Sequence, residues 1–224
     1  MKALILDSGT LINLSMNGLL YILEDLKKNT DIKFYITQPV KYEVIDRPVN
    51  IPRFELGALR IKSLIENKII ELPNTSEIDS EKLKSKTKEL LNIANESVIV
   101  KNKSIKIVSE AEISCLALSI LLSEKNIENI IAVDERTTRI LGEKPENLEN
   151  MIASRLHQRV QINKEKLKVF KQFRFIRSTE IVYVAYKKGL LRIKDPKVLE
   201  AVLYATKYKG SSVSFEEINA LKKL

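Results

Sequence analysis

The sequence is nearly empty of histidine and cysteine. One histidine, His157, excludes catalysis by a pair of imidazoles, and together with one cysteine, Cys115, it leaves no ligand set for a Cys/His zinc site. A lone cysteine also excludes an intrachain disulfide and fits a reducing compartment; its apolar helical context marks it as a small core residue. No apolar run reaches membrane-spanning length. Asp7, Asn13 and Asn17 interrupt any leader-like core near the N-terminus, so the expectation is no export, a cytoplasmic protein and no membrane partner. Repeats and low-complexity segments are missing too. What remains for a metal is oxygen chemistry, which means a hard cation such as Mg²⁺ or Mn²⁺.

Charge and apolar patterning supply the positive signals. The 224 residues, 44% hydrophobic and 30% charged, suit one globular domain with a real core, or one domain with a large appendage. The net charge of +9 is uneven. Residues 153–224 hold 17 Lys/Arg against 6 Asp/Glu, while residues 1–152 hold 21 against 23. Such a surplus fits either a polyanion partner or a merely solvated, lysine-rich surface. His157, between Arg155 and Arg159, belongs to that surface.

Ala3 to Leu6 and Ile130 to Val133 are short unbroken apolar runs, the mark of strands buried on both faces. Asn17 to Lys28 carries a helical stripe of Leu19, Leu20, Ile22, Leu23 and Leu26. Phe34 to Thr37 predicts a second strand. Thr37-Gln38-Pro39 then predicts a helix start, with Thr37 or Gln38 as cap and Pro39 in the first turn. Beyond a loop at Arg47 to Pro52, Phe54 to Glu66 predicts a helix and Ile69 to Leu72 a third strand. This β-α-β-α-β order argues for a right-handed parallel sheet. Asn74 to Val108 breaks the rhythm with a charged helix, Leu83 to Asn95, and a hairpin of Val98–Val100 and Ile105–Ile107 about Asn102-Lys103. It forms an insertion, either a substrate flap or a dimer contact. Helices follow over Ser109 to Ser123 and over Asn147 to Val160, the latter with Leu148, Ile152, Leu156 and Val160 inward, and Phe170 to Ile176 predicts an edge strand. Further helices open at Arg177-Ser178-Thr179, at Asp195-Pro196 and at Ser214, where Glu217 completes a capping box. The expected fold is α/β: a three-layer α/β/α domain over residues 1–191 with a central, mostly parallel sheet, the insertion at 74–108 and a helical C-terminal extension over 192–224.

Ligand sites of parallel α/β sheets gather beyond the carboxyl ends of the strands. Asp7 and Asp134, each ending one of two central strands, would therefore share a site. Glu43, one turn into the helix after the second strand, and Glu112, in the first turn of the Ser109 helix, come from the same sheet edge. Three of these have a plainer reading. Asp7 and Asp134 could end strands or cap helices, Glu112 could close a capping box with Ser109, and Glu110 could be a dipole-favoured first-turn acid. Four clustered carboxylates repel one another unless a cation neutralises them. A divalent metal relieves that cost, activates water and polarises a phosphodiester oxygen, which is nucleic-acid cleavage without histidine. Basic residues of the C-terminal part would then hold phosphates.

These residues together resemble the PIN-domain nucleases. The matching segments are ILDSGTLI with Asp7, QPVKYE with Glu43, SEAEISCLALS with Glu112 and IAVDERTTR with Asp134. Ser8 and Thr10 match the hydroxyl-bearing positions after the first Asp, and Ser178-Thr179 resembles the family's small-residue turn into its closing helices. The resemblance runs from Met1 to about Leu191, apart from the insertion. It implies a PIN-like fold and an Mg²⁺- or Mn²⁺-dependent endoribonuclease leaving a 5′-phosphate and a 3′-hydroxyl, as in VapC-type toxins and RNA-processing enzymes. Asp7, Glu43, Glu112 and Asp134 would be its catalytic and metal-binding residues. Glu135 would bind metal, orient water or do neither, and Ser8, Thr10, Arg136 and Arg139 would contact substrate. RNA is the implied partner, with a homodimer and an antitoxin or ribosome-associated partner left open. The alternative is a catalytically silent PIN-like module that binds RNA or protein. Two departures stand out: Glu112 occupies a position where many members have Asp, and the insertion is long for a compact toxin. ILDSGT also resembles the opening motif of haloacid-dehalogenase-type phosphatases, but their second Asp would fall at Gly9.

Overall fold

The computed structural model describes residues 2–74 and 78–224. Met1 and residues 75–77 of the expected insertion lie outside the described residues. The first half of the chain builds β1 (Lys2–Leu6), α1 (Ser8–Met16), α2 (Tyr21–Asn29), β2 (Ile32–Tyr35), α3 (Gln38–Lys41), α4 (Pro52–Glu66) and β3 (Ile70–Glu71). Then come α5 (Ser80–Glu96), β4 (Val98–Val100), β5 (Lys103–Ser104), α6 (Glu110–Glu124), β6 (Glu128–Ala132), α7 (Arg136–Glu143), α8 (Leu148–Leu156) and β7 (Val160–Ile162). The chain closes with α9 (Lys164–Leu167), β8 (Phe175–Ile176), α10 (Ser178–Lys187), α11 (Val198–Tyr208) and α12 (Phe215–Lys223).

The class is α/β, with a central five-stranded parallel sheet flanked by helices, consistent with a three-layer α/β/α arrangement. Its strand order is β3-β2-β1-β6-β8, so β1 sits in the middle. Leu4 faces Phe34 on one side and Ile130 on the other, and Ile5, Leu6, Phe34 and Ala132 are wholly buried. Burial on both faces is why these strands are continuous apolar runs. From β1 the chain runs outward to β2 and β3 on one side, and β6 and β8 fill the other. The order therefore reverses between β1 and β6, the switch point at which open α/β sheets bind ligands. Asp7 and Asp134 lie just beyond the ends of those two strands. Among the described residues no helix is long and apolar enough to cross a membrane.

Several expectations need correction. Ser8–Met16 is a helix of its own, capped by Asp7, and Gly18 at φ +67° turns the chain before α2; the apolar stripe had suggested one helix from Asn17. The helix expected over Asn147 to Val160 stops at Leu156, because His157 adopts a left-handed conformation at φ 52°. Val160 is buried, but from strand β7, which pairs antiparallel with β4, while Leu156 is exposed. A residue at helical spacing thus reached the core by another route. The hairpin turns at Lys101-Asn102, both with positive φ (50° and 62°), so Lys103 pairs with Val100 and the second strand is Lys103–Ser104 rather than Ile105–Ile107. The expected strand over Phe170 to Ile176 shrinks to Phe175–Ile176, with Lys168–Gln172 a 3₁₀ helix. One large apolar cluster fills the body, and α11 and α12 share a small separate one of Leu203, Val213 and Ile218.

Candidate functional site

Asp7 is placed by the end of β1. Its backbone N–H donates to Ala132 O (3.0 Å), carrying the β1–β6 pairing one residue further, and its side chain caps α1, with Oδ2 accepting Gly9 N–H at 3.2 Å. The other oxygen, Oδ1, is buried with no partner. Burial first, then the Glu112 and Glu43 carboxylates, push the Asp7 carboxyl up from 3.8 to about 7, with the N–H groups of Gly9 and Ser8 only partly opposing them. Ionising Asp7 in the folded protein therefore costs roughly 4 kcal/mol against the unfolded chain.

Glu43 comes from the segment after β2. Thr37 Oγ1 caps α3, with Pro39 in its first turn, as the sequence suggested. The helix then widens into a π-helical turn, Tyr42–Asp46, closed by Arg47 N–H to Tyr42 O (3.0 Å). Lys41 and Asp46, five residues apart, clamp that turn at 2.6 Å. Inserted residues of this kind are frequent where a helix must re-aim a functional side chain. Here Glu43 is aimed at α1, and Ser8 Oγ donates to its Oε2 at 2.7 Å.

Glu112 fills its capping reading and is also partly buried beside the other acids. Ser109 N–H donates to its Oε2 (2.7 Å) while Ser109 Oγ accepts Glu112 N–H (3.2 Å), a complete capping box. Burial nonetheless raises its carboxyl; the Ser109 N–H offsets part of this, and Glu135 and Glu43 add to it. Glu135 is a local cap as well, accepting from Thr138 N–H and Thr137 Oγ1, each at 2.8 Å.

Asp134 is the opposite of Asp7. It is equally buried, but Oδ1 accepts from Ser178 N–H (2.8 Å), Ser178 Oγ (3.0 Å) and Ser211 Oγ (2.9 Å), and Oδ2 from Asn13 Nδ2 (3.0 Å). Gly9 separates the two aspartates: a Cβ there would lie 3.5 Å from Asp7 Oδ2 and 3.9 Å from Asp134 Cβ. Asp7, Glu43, Glu112 and Glu135 are thus near enough to repel, and Asp134 adjoins them already saturated on one oxygen. Among the described residues, no three His, Cys, Asp or Glu side chains form a group arranged to hold a metal ion. The donor chemistry still fits a hard divalent cation. It offers oxygen ligands only, one buried carboxylate oxygen without a partner, and like charges that a cation would reconcile.

The expected substrate residues scatter in role. Ser8 is spent on Glu43, Thr10 is buried with its hydroxyl unpartnered, Arg136 is exposed, and Arg139 pairs with Glu143 at 2.8 Å. Asn13 and Ser211 were not foreseen. Asn13 is a fully buried amide in an apolar helix, which is the signal that could have found it; Ser211 carries no such signal. The buried side-chain oxygens left without partners among the described residues belong to Asp7, Thr10, Thr138 and Ser212. Thr10 is in the first turn beyond Asp7, Thr138 lies four residues after Asp134, and Ser212 N–H donates to Asp134 O at 3.1 Å. Unmet polar groups are rare in interiors, and here three lie on the segments that carry the two aspartates and the fourth on a residue bonded to the Asp134 backbone.

No protein-family model matches this chain, and neither does any curated protein or solved structure.

Proposed function

We propose that the protein is a divalent-metal-dependent endoribonuclease, working at the acids between β1 and β6. The observation that carries this reading is Asp7: a wholly buried carboxylate with one bare oxygen, held near neutral titration by burial and by two neighbouring acids. Nothing in the fold requires an acid there, since Gly9 N–H would be equally well met by an amide. A costly unpaired carboxylate at a switch point is what a functional site retains at the expense of stability.

Asp7 Oδ1, Glu43 and Glu112 would hold the cation, with Asp134 Oδ2 beside them. Mg²⁺ or Mn²⁺ bound there supplies positive charge to a phosphodiester and a place where water loses a proton near neutral pH. The chain's own part is positioning. Ser8 orients Glu43, the Lys41–Asp46 clamp holds the turn that carries it, and Ser109 limits the swing of Glu112. The lysine- and arginine-rich residues 153–224 would contact phosphates without reading sequence. This is the PIN-type reaction, with RNA as partner and the cytoplasm as compartment.

A second reading has an observation of its own. Asp134, Glu112 and Glu135 already spend oxygens on internal donors, which favours a silent module that binds RNA without cutting it. Purified protein with mixed RNA and Mn²⁺ decides between the two. The enzyme reading expects cleavage that EDTA stops and that Asp7→Asn lowers by about a thousandfold or more, the scale of removing a main charge-stabilising group. RNA that binds parent and Asp7→Asn alike, and stays whole with both, establishes the silent module.

A further inference from the structure

We infer that the C-terminal extension is a working part of the site, with Ser211 a positioning residue that joins Ser178 in holding Asp134 Oδ1, so that Oδ2 is the oxygen offered to a cation. This rests on the function proposed above. A carboxylate oxygen has about two lone-pair directions. Asp134 Oδ1 receives three donors and Oδ2 one, so Oδ2 is the atom with capacity left. Two of the four donors depend on the extension. Ser211 gives its hydroxyl directly. Asn13 is held through the extension's backbone: the Nδ2 that reaches Asp134 also donates to Thr206 O at 2.8 Å. Its Oδ1 accepts from Asn17 Nδ2 (2.9 Å), which in turn reaches Ala205 O (3.3 Å).

The protons along this network have a fixed direction. Thr206 Oγ1 donates to Leu203 O (2.8 Å), and the single Ser211 hydroxyl proton goes to Asp134. Thr179 Oγ1, 2.8 Å from Ser211 Oγ, must therefore be the donor in that pair. Ser178, Thr179, Thr206, Ser211 and Asn13 are all buried. A closed polar network of this kind specifies one geometry, where an apolar contact would tolerate many. The extension packs Val198 and Val202 of α11 into the main core and joins α11 to α12 through a small cluster of its own, while Ser211 and the Thr206 backbone carbonyl are its polar contacts to Asp134 and Asn13. Arg177 adds a clamp, with Nη1 on Ser212 O (3.1 Å) and on Glu217 (2.9 Å). The site acids were read from residues 1–191, but the carboxylate geometry of one of them is shared between Ser178 and residues 192–224.

The test uses the full chain, with Mn²⁺ affinity by calorimetry and Mn²⁺-dependent cleavage of mixed RNA. Ser211→Ala should weaken Mn²⁺ binding about tenfold, the usual cost of losing a group that orients a ligand, and should lower kcat rather than raise KM. Ser211→Thr keeps the donor and should restore both. Glu217→Gln loosens the Arg177 clamp without removing a donor to Asp134; it should lower the melting temperature and leave Mn²⁺ affinity unchanged. Should Ser211→Ala fail to fold, Ser211→Cys, with a weaker donor of similar size, carries the same expectation. Unchanged Mn²⁺ affinity in Ser211→Ala, or an equal loss in Glu217→Gln, overturns the inference and leaves the extension a structural anchor. A parent protein that binds no Mn²⁺ removes the nuclease reading and the inference with it, whereas a parent that binds and a Ser211→Ala variant that matches it sinks the inference alone.

Discussion

Asp7 and Asp134 end adjacent strands, are equally buried, and are treated in opposite ways. Asp134 receives four hydrogen bonds from three segments of the chain, while Asp7 receives Gly9 N–H on one oxygen and nothing on the other. The difference lies in what each strand end meets. Beyond β6, the start of α10 and the loop before α12 bring Ser178 and Ser211 inward, so burial comes with donors. Beyond β1, Glu43 and Glu112 arrive instead, and burial comes with like charge. Burial of an acid therefore says little about its use; what separates a structural acid from a reactive one is whether its oxygens are met.

Removing each acid should move stability in opposite directions. Asp134→Ala strands Ser178 N–H and three side-chain donors in the interior, and should cost about 4–5 kcal/mol in urea unfolding, since each stranded buried donor costs about 1–3 kcal/mol and several keep a second partner. Asp7→Asn should do the reverse, stabilising the metal-free protein at pH 8 by about 2–4 kcal/mol. The sign follows from the raised carboxyl. Below pH 4 both folded and unfolded Asp7 are protonated and the residue is neutral to stability. Between about 4 and 7 only the unfolded form ionises, so stability falls as pH rises, and above 7 the full penalty stands. The advantage of Asp7→Asn should accordingly vanish at pH 4. A stabilising Asp134→Ala, or an Asp7→Asn variant less stable than the parent at pH 8, erases the contrast.

The strands that carry this contrast were readable because both are buried on two faces, which writes a continuous apolar run ending at the acid. Thr37 with Pro39, and Ser109 with Glu112, were readable for the same local reason, since a cap and its partner lie within four residues of each other. The partners of Asp134 were not. Asn13 and Ser211 are 121 and 77 residues from it in sequence, and no spacing rule spans that distance. The π-helical turn under Glu43 also left no mark, because one extra residue in a helix changes no apolar period over so short a stretch. The false helix past Leu156 shows the converse failure. Val160 satisfied a 3.6-residue period by coincidence, and a strand pairing with Val100 determined its burial.

The smallest effect tests the same contrast through a ligand. If a cation is held by Asp7, it must displace the proton that burial keeps there, so binding and deprotonation are linked. Mn²⁺ affinity measured by calorimetry should then fall about tenfold for each pH unit below 7, about 1.4 kcal/mol per unit, and level off above it. The break falls near 7 because that is where the Asp7 carboxyl is placed. Its position separates a raised acid from an ordinary carboxylate, which would put it near 4, and the Asp7→Asn variant tells Asp7 from Glu112, whose carboxyl is also raised. Asp7→Asn should abolish the slope between pH 5 and 7 along with most of the affinity. A parent whose Mn²⁺ binding is flat down to pH 5 would mean that the cation sits on already ionised acids, and Asp7 would then be a buried cap whose cost remains unexplained.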